Sequence, residues 1–298
     1  MVTSKQIAKL VGGDHLGSER KINEMVNFSN DIDKPNILCW LSDKYLSRFE
    51  SSFKGVLIAS YSFDRSLINN ENHSIILVEN PRAAFRESIN IVYPTKDELP
   101  KVSLSARVSA SAKIGVQCTI GENVVIGENV TIGNNTVILH NTVILDNTLI
   151  GDNCTIGCNN TIGGVGFGYE KDEVNGYQLI RHVGNVVICN NVDIGNNTCI
   201  DRAVLGSTVI HKNVKIDNLV HIAHGVEVGE NSLIIANAMV AGSTKIGKNV
   251  WFAPSASCIQ GITISDNVTI GLAAVVLKDV EESSIIIGNP GKKLERKK

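Results

Sequence analysis

The sequence predicts a mainly β protein: a three-sided parallel β-helix preceded by a small α/β domain. Three observations predict the β-helix. Beyond residue 100 an aliphatic residue recurs every six positions, the residue two before it is small or β-branched, and the residue three after it is most often Asn. These positions fit a short flat strand, its inward face and a tight corner. At 298 residues the chain is long enough for two domains.

The first 98 residues mix helix and strand signals and are predicted to form the α/β domain. Thr3 or Ser4 is expected to cap a short helix, and residues 55–60 and 74–79 are expected to be buried strands. Asn80 and Pro81 are expected to begin a second helix. The predicted apolar helix faces are Ile7, Leu10 and Val11, and then Ala84, Phe85, Ile89 and Val92. Pro94 and Pro100 bracket the predicted linker.

The repeat runs from Ile114 to Ile162, resumes at Ile188, Ile194 and Ile200, and continues from Ile210 to Val276. A helix cannot keep one face at a period of six, because six steps of 100° turn the side chain away from its first direction. Flat sides of six residues keep that face, and three sides complete one coil. The sequence therefore predicts about eight coils over residues 99–280, followed by a tail over 281–298.

The repeat breaks in a few places, and such breaks are expected where function intrudes. Residues 163–185, which contain GGVGFGYEKDEVNGY, and residues 201–209 leave the pattern. The corner Asn is missing at Leu219, Gly225, Ser243 and Ser255. Positions 18 residues apart should stack, so Gly225 and Ser243 are predicted neighbours. GGVGFG is predicted to be a loop, because the helix of a dinucleotide fingerprint does not follow it.

Two histidines stand at one of these broken corners, in the segment VHIAHG at residues 220–225. Ile222 takes the core position, so His221 and His224 are expected on the outer wall. An imidazole accepts a proton near neutral pH, which makes His224 a candidate general base. His140, His182 and His211 are weaker candidates. His15 and His73 are expected to be ordinary surface residues.

Composition excludes several classes of function. With 28 Lys and Arg against 30 Asp and Glu, the formal charge is −2, which argues against a nucleic-acid partner. No apolar run approaches the ~18 to 20 residues of a membrane-spanning helix, and residues 1–19 lack the features of a secretory signal. A cytoplasmic protein is expected. Seven scattered cysteines without CxxC spacing predict reduced thiols, mostly in the core, and no metal site.

The repeated aliphatic-Gly-x4 pattern resembles the hexapeptide acyltransferases, and this resemblance implies a left-handed β-helix and a homotrimer. Within that superfamily the chain is similar to the UDP-3-O-acylglucosamine N-acyltransferases of the lipid A pathway. The matching segments are residues 76–85, 166–169 (GFGY), 183–188, 200–202 (IDR), 215–224 (KIDNLVHIAH) and 241–243 (AGS).

The resemblance also implies roles for individual residues. His224 would be the general base, Asp217 and Asn218 would support the site, and the backbone amide of Gly242 would face the thioester oxygen. The sugar and nucleotide sites would draw on Phe167, Gly168, Tyr169, His221, Tyr45, Trp40 and Asn80. An acyl-CoA cosubstrate would contact Gly242, Ser243, Gly261, Lys278 and Lys292. From its charge alone, the basic tail that ends in Arg296, Lys297 and Lys298 either contacts the phosphates of coenzyme A or is merely solvated.

The chain departs from that family at three places. The second functional His of the family falls at Ile262, and the Phe and Asn of its uridine site fall at Cys39 and Ser42, so that Tyr45 is kept and Trp40 could offer a stacking face. The helix that engages acyl carrier protein is replaced by VVLK at residues 275–278 and GNPGK at residues 288–292. These segments resemble the ending of coenzyme A-dependent sugar acetyltransferases.

We therefore expect an N-acyltransferase that moves a short acyl group, acetyl or hydroxyacyl, from coenzyme A to the amine of a nucleotide-linked deoxyamino sugar. No tightly bound cofactor or metal is expected. The close alternative is the lipid A enzyme with acyl carrier protein as donor. Two further alternatives are a zinc hydratase of the γ-carbonic anhydrase kind and a trimeric scaffold without activity.

Overall fold

The computed structural model describes residues 2–28, 34–50, 52–69, 71, 73–94 and 100–294. The chain divides into two compact units, residues 1–98 and residues 99–298, and each is described by itself. Most of the predicted linker, at residues 95–99, lies outside the described residues. The same holds for Arg296, Lys297 and Lys298 of the basic tail.

The first unit is built on a five-stranded sheet. In order across the sheet its strands are Asp14–Gly17, Ser74–Val78, Val56–Ser60, Ile37–Trp40 and Glu24–Met25. The first is antiparallel to its neighbour and the others pair in parallel. Val2–Thr3 pairs separately with Lys21–Ile22. The helices are α1 (Ser4–Leu10) and α2 (Pro81–Val92), and two 3-10 helices span Asp43–Arg48 and Arg65–Leu67.

Both predicted helix caps are present. Thr3 forms a capping box with Gln6, and the side chain of Asn80 accepts a hydrogen bond from the Ala83 amide. The predicted apolar faces are wrong at one position each, because Leu10 is 60% and Ile89 39% exposed. α1 buries a stripe centred on Ile7 and Ala8, and the buried stripe of α2 follows Ala84 and Ser88, one position from Ile89.

The expectation that His15 and His73 are surface residues is also wrong. His73 is fully buried, with its ring edge-on to Phe49 at 5.2 Å between centroids. His15 Nε2 lies 2.8 Å from Ser4 Oγ and 3.1 Å from Ser74 Oγ. His15 therefore links α1 to the strand Ser74–Val78 through hydrogen bonds, since buried polar groups are kept where partners satisfy them.

The second unit is a left-handed parallel β-helix with three flat faces. Face A contains the strands Thr119–Ile120, Val137–Ile138, Thr155–Ile156, Asp193–Ile194, Lys215–Ile216, Leu233–Ile234, Trp251–Phe252, Thr269–Ile270 and Ile285–Ile287, with Lys292–Lys293 antiparallel at its end. Face B contains Arg107–Val108, Val125–Ile126, Val143–Ile144, Thr161–Val165, Cys199–Arg202, His221–Ile222, Met239–Val240, Ser257–Cys258 and Val275–Val276. Face C contains Lys113–Ile114, Thr131–Ile132, Leu149–Ile150, Asn185–Ile188, Ser207–Ile210, Glu227–Val228, Lys245–Ile246 and Thr263–Ile264.

The predicted periodicity is confirmed by the core and by the corners. The aliphatic series and the small residues two positions before it fill one buried cluster along the column, with Thr136, Thr142, Thr148 and Thr244 buried among them. The corner Asn residues have positive φ, for example 55° at Asn135. The Gly that follows the aliphatic has a steric cause as well. A Cβ at Gly133 would lie 2.5 Å from Oδ1 of Asp152, a residue of the next coil. The same oxygen accepts a hydrogen bond from the amide of Asn134, the residue after Gly133.

The coils continue across the breaks in the repeat, with one shift of register between Ile162 and Gly164. Away from the breaks a strand pairs with the residue 18 positions on, as Ile132 does with Ile150. Ile150 pairs instead with Ile188, so residues 166–184 leave the column and the chain returns to the same face. Part of this excursion is a hairpin of Tyr169–Asp172 and Gly176–Leu179. In the described part of the chain, no helix has the length and apolar character needed to cross a membrane.

Candidate functional site on one edge of the column

The edge where the chain passes from face B to face C, here the B–C edge, gathers most of the anomalies seen in the sequence. Both excursions leave from it, since residues 166–184 and 203–206 connect a face B strand to a face C strand. The segment Ala223 to Val226 turns at the same edge. Ser243 N–H donates to the His224 carbonyl oxygen at 2.9 Å, so the predicted stacking of these two corners is confirmed.

The imidazole of His224 is half-buried between two glycines. A Cβ at Gly242 would lie 2.7 Å from both Cε1 and Nε2 of His224. A Cβ at Gly166 would lie 2.9 Å from Cβ and 3.0 Å from Cδ2 of His224. Neither position could carry a side chain without moving the ring, because real Cβ contacts at such distances do not occur. The two glycines therefore define the seat of His224.

Three ionisable side chains surround this seat. The His182 ring meets the His224 ring edge-on, with 5.3 Å between centroids and an interplanar angle of 80°. Asp201 is half-buried, and its Oδ2 lies 3.7 Å from His221 Nε2. Cys199 and Ile200 on face B pair with His221 and Ile222, which brings Asp201 beside the histidines. We call His182, Asp201, His221 and His224 the edge cluster.

The edge cluster favours a neutral His224. Burial lowers the pKa of His224 below its ordinary value of 6.5, and the neighbouring His182 lowers it further, whereas Asp201 acts in the opposite direction. Burial also raises the pKa of Asp201, against the attraction of His221, His224 and His182. At neutral pH a lone pair of His224 is therefore free to take a proton, as a general base requires.

The amide N–H of Gly242 is the second chemically relevant group at this edge. At equivalent corners a side chain from the next coil accepts this N–H: Asp146 Oδ1 accepts from Glu128, Asp152 Oδ1 from Asn134, and Asp266 Oδ1 from Lys248. Among the described residues no acceptor reaches the Gly242 N–H. An amide left open beside a candidate base is the kind of donor that stabilises charge on a reacting oxygen.

The predicted acyl-donor residues fall in two places. Gly261 N–H donates to the Gly242 carbonyl oxygen at 2.9 Å, and Ser243, Gly261 and Lys278 follow one another coil by coil up the B–C edge. With a rise of about 4.8 Å per coil, Lys278 stands roughly 15 Å above His224. Lys292 does not belong to this row, because it pairs with Ile287 on face A.

The GFGY segment forms the base of the longer excursion. Phe167 is 86% and Tyr169 45% exposed, and their ring centroids are 5.0 Å apart. Gly168 accepts from the Ile180 amide and lies against His182. Arg202 fixes the exit of the loop, since its Nε donates to the Gly163 carbonyl oxygen at 2.6 Å. Two aromatic faces therefore project beside the edge cluster.

Asp217 and Asn218 lie at the other end of the face B strand, on the edge between faces A and B. Asp217 Oδ1 accepts from the Asn218 amide at 2.7 Å, and Asn218 Oδ1 accepts from the Asn196 amide at 2.7 Å. Within one chain these bonds cap corners, and the structure does not bring the pair to His224. Leu219 and Ser255 share this second edge, with φ of 59° and 58°, so not every missing Asn marks the edge cluster.

Three predicted binding residues belong to the first unit. Tyr45 is 38% exposed and the Arg48 guanidinium lies 4.4 Å from its ring centroid. Trp40 is half-buried and packs on Phe85 at 6.1 Å. The side chain of Asn80 is already engaged as the cap of α2.

The weaker histidine candidates have separate surroundings. His140 Nδ1 accepts from the Glu122 amide at 2.9 Å, and His211 Nε2 lies 2.8 Å from Glu227 on face C. His211 also borders a cavity of about 640 Å³ on that face, which His224 does not line. Ile262 is 8% exposed in the core. Within the described ranges, no three His, Cys, Asp or Glu side chains are grouped to hold a metal ion, and the cysteines there are free thiols, four of the seven buried.

Sequence reasoning underrated His182 and assigned no role to Asp201. His182 stands 42 positions before His224 in an irregular segment, so periodicity carries no information about its position. In the sequence, Asp201 stands out only as the start of the second excursion and as part of the IDR segment at residues 200–202. Both residues could have been found from the edge that they share. Each segment that interrupts the repeat after a face B strand lies at the B–C edge.

Two family models match parts of the solenoid. The one described as the bacterial transferase hexapeptide, six repeats, matches residues 207–242, which include His221, His224 and Gly242. The one described as the GMPPB C-terminal domain matches residues 102–167.

Among curated proteins, the UDP-3-O-acylglucosamine N-acyltransferase of Wolinella succinogenes is 41% identical over 128 residues, which cover 43% of this chain and 40% of that protein. The protein of the same name from Helicobacter pylori is 50% identical over 90 residues, or 30% of this chain and 27% of that protein. The chain therefore matches less than half the length of these curated relatives.

Solved structures also resemble the chain. The UDP-N-acetylglucosamine O-acyltransferase of Moraxella catarrhalis matches with a TM-score of 0.57 and 27% identity, covering 65% of this chain and 73% of that one. The UDP-N-acetylglucosamine acyltransferase of Campylobacter jejuni matches with a TM-score of 0.59 and 25% identity, covering 65% and 74%. In its repeat and its fold, the solenoid of this chain is therefore similar to the bacterial hexapeptide transferases, whose family model matches residues 207–242.

Proposed function

We propose that this chain is an N-acyltransferase that moves an acyl group from a thioester to the amino group of a nucleotide-linked sugar, with His224 as general base. The observation that carries the proposal is the seat of His224: a neutral imidazole next to the open amide of Gly242, on the edge from which the GFGY loop projects. The names of the curated relatives supply the substrate class, an amino sugar linked to a nucleotide.

The chemical steps use two groups of this edge, the imidazole of His224 and the amide of Gly242. The neutral amine attacks the thioester carbon, a C–N bond forms, and negative charge develops on the carbonyl oxygen, where the Gly242 N–H stabilises it. His224 takes a proton from the new ammonium group. When the C–S bond breaks, His224 returns that proton to the leaving thiolate, which restores the neutral base.

We also propose that the donor is a short acyl-CoA. The row of Ser243, Gly261 and Lys278 along the B–C edge offers a path of suitable length for an extended thioester arm, with a lysine at its far end for a phosphate. An acyl carrier protein remains the alternative donor, which the likeness to the lipid A enzymes favours. Purified protein given UDP-linked aminosugars with acetyl-CoA, 3-hydroxybutyryl-CoA or acylated carrier protein distinguishes the two donors by mass spectrometry of the product.

The site is proposed to be completed by a homotrimer. Asp217 and Asn218 stand at the opposite edge of face B from His224, so three parallel columns around one axis would bring a neighbour's A–B edge to the B–C edge. Large apolar side chains remain exposed on the column, including Leu219 at 59% and Trp251 at 46%. Sedimentation velocity tests this, with an expected mass three times the 32.1 kDa chain.

The central test is His224→Ala. Because the ring is half-exposed, its removal should leave the column folded while turnover falls by a factor on the order of 10² to 10⁴, the usual contribution of general base catalysis. His211→Gln is the matched control, since it alters a histidine on face C. Near-normal turnover in His224→Ala at neutral pH would refute the assigned role.

A further inference from the structure

His182 is the most deeply buried member of the edge cluster, at 5% exposure. It lies on the returning leg of the excursion, just before the chain rejoins face C. Its Nδ1 lies 2.7 Å from the Ile180 carbonyl oxygen. A carbonyl oxygen only accepts, so Nδ1 carries the proton and Nε2 presents a lone pair. That Nε2 is buried and has no hydrogen-bond partner among the described residues.

A buried nitrogen without a partner is unfavourable and is retained where it serves another purpose. The groups that surround His182 indicate that this purpose concerns His224. Gly166 lies against both histidines, because a Cβ there would lie 3.0 Å from His182 Nε2 and 2.9 Å from His224 Cβ. The rings meet edge-on at 5.3 Å, and Gly168 also lies close to His182, since a Cβ there would lie 3.1 Å from His182 Cε1.

We propose that His182 is a positioning residue for His224: its ring, anchored to Ile180, fixes the orientation of the His224 ring and disfavours a second proton in the edge cluster. This inference rests on the proposed function of His224. The contact is the kind that aromatic rings prefer, with the edge of one facing the other. His182 thereby supports the base without touching the substrate.

The charges of the edge cluster, like the packing of its rings, disfavour a second proton there. The groups that face His224 are His182 from the excursion, Asp201 from the neighbouring coil and His221 from its own strand. Two imidazolium ions at this separation repel each other, and Asp201 can balance only one of them. The lowered pKa of His224, to which His182 contributes after burial, agrees with this arrangement.

The test uses the full-length protein with His182→Gln and His182→Phe, and with His211→Gln as the matched control. Histidine NMR titration, assigned with His224→Gln, reports the pKa of His224 without any substrate. We expect that pKa to rise in both His182 variants and to stay unchanged in His211→Gln. The acid limb of the kcat/KM profile should move to higher pH by the same amount.

The two His182 variants separate packing from charge. His182→Gln should lower kcat at pH 7 by roughly ten- to a hundredfold, with KM within about twofold, because a misplaced base loses rate rather than binding. His182→Phe keeps a ring against His224 and should retain more of kcat than His182→Gln. Circular dichroism and thermal unfolding confirm that both variants fold.

The outcomes distinguish this inference from the proposed function. An unchanged His224 pKa and an unchanged kcat in both folded variants would overturn the inference. If the pKa rises as expected but no acyl transfer is found with either donor in the unmodified protein, the proposed function fails while the coupling between the rings stands.

Discussion

Gly242→Ala offers a direct test of the seat of His224. The added methyl group would lie 2.7 Å from Cε1 and Nε2 of His224 and 3.2 Å from Nδ1. Carbon atoms in contact prefer about 3.5 to 4.0 Å, so the ring must move by about 1 Å. Because His224 is half-exposed, it can swing toward solvent, and the unfolding free energy should fall by only about 1 kcal/mol, the lower end of the overpacking range.

Catalysis should be far more sensitive than stability. A displacement of this size costs on the order of 10²-fold in rate, which corresponds to about 2.7 kcal/mol in the activation barrier. The substitution keeps the Gly242 N–H, so any loss is assigned to the displaced imidazole. The assay follows release of free thiol from the acyl donor in the presence of the nucleotide aminosugar, with urea unfolding measured in parallel.

Gly164→Ala is the matched control from the same edge. Its added Cβ would meet Asp201 Oδ1 at 3.5 Å and Thr161 Cγ2 at 3.6 Å, which are ordinary contacts. Its kcat/KM should remain within about twofold of the unmodified protein. Full activity in Gly242→Ala, or an equal loss in Gly164→Ala, would refute the reasoning.

Three more predictions concern pH, the core and the corners. His224 has a lowered pKa when folded, so the unfolded chain takes up its proton first, and stability should be lost as pH falls below about 6.5; urea unfolding of His224→Gln should show less of this loss. Phe252→Ala should cost about 3 to 5 kcal/mol of unfolding free energy, since Phe252 is fully buried in the column, whereas the adjacent, 46% exposed Trp251→Ala should cost well under half as much. Asn135 has φ of 55° and its Nδ2 donates to Asn153 at 3.2 Å, so Asn135→Ala should destabilise by about 1 to 2 kcal/mol and Asn135→Gly by less; equal losses in denaturant titration would contradict the φ explanation.

The column was predictable because its rules are local and repeated. Each position of the repeat has the same local structure in every coil. Examples are the inward aliphatic Ile138, the small residue Thr136 and the corner residue Asn141. The stacking of Gly225 on Ser243 followed from the same spacing of 18 residues. The first unit was harder to predict in detail, because short helices such as α1 bury a stripe chosen by the sheet beneath them and not by their own pattern.

The edge cluster was only partly predictable. His224 stands within the repeat and could be placed on the outer wall from Ile222 alone. His182 arrives from an excursion whose path depends on tertiary contacts such as Arg202 with Gly163. The pKa of Asp201 is raised by burial, and burial cannot be predicted where the sequence has no periodic pattern.

The return of the chain to register after residue 185 has a consequence for how such a molecule acquires specificity. Ile150 pairs with Ile188, although the excursion lies between them in the sequence, in the same way as Ile132 pairs with Ile150, where no excursion intervenes. A corner can thus accept a new segment, with its own aromatic side chains, without any compensating change in the coils above or below. Substrate preference and scaffold can then change independently, and exchanging the segment between residues 163 and 185 among proteins of this kind is a practical route to new acceptors.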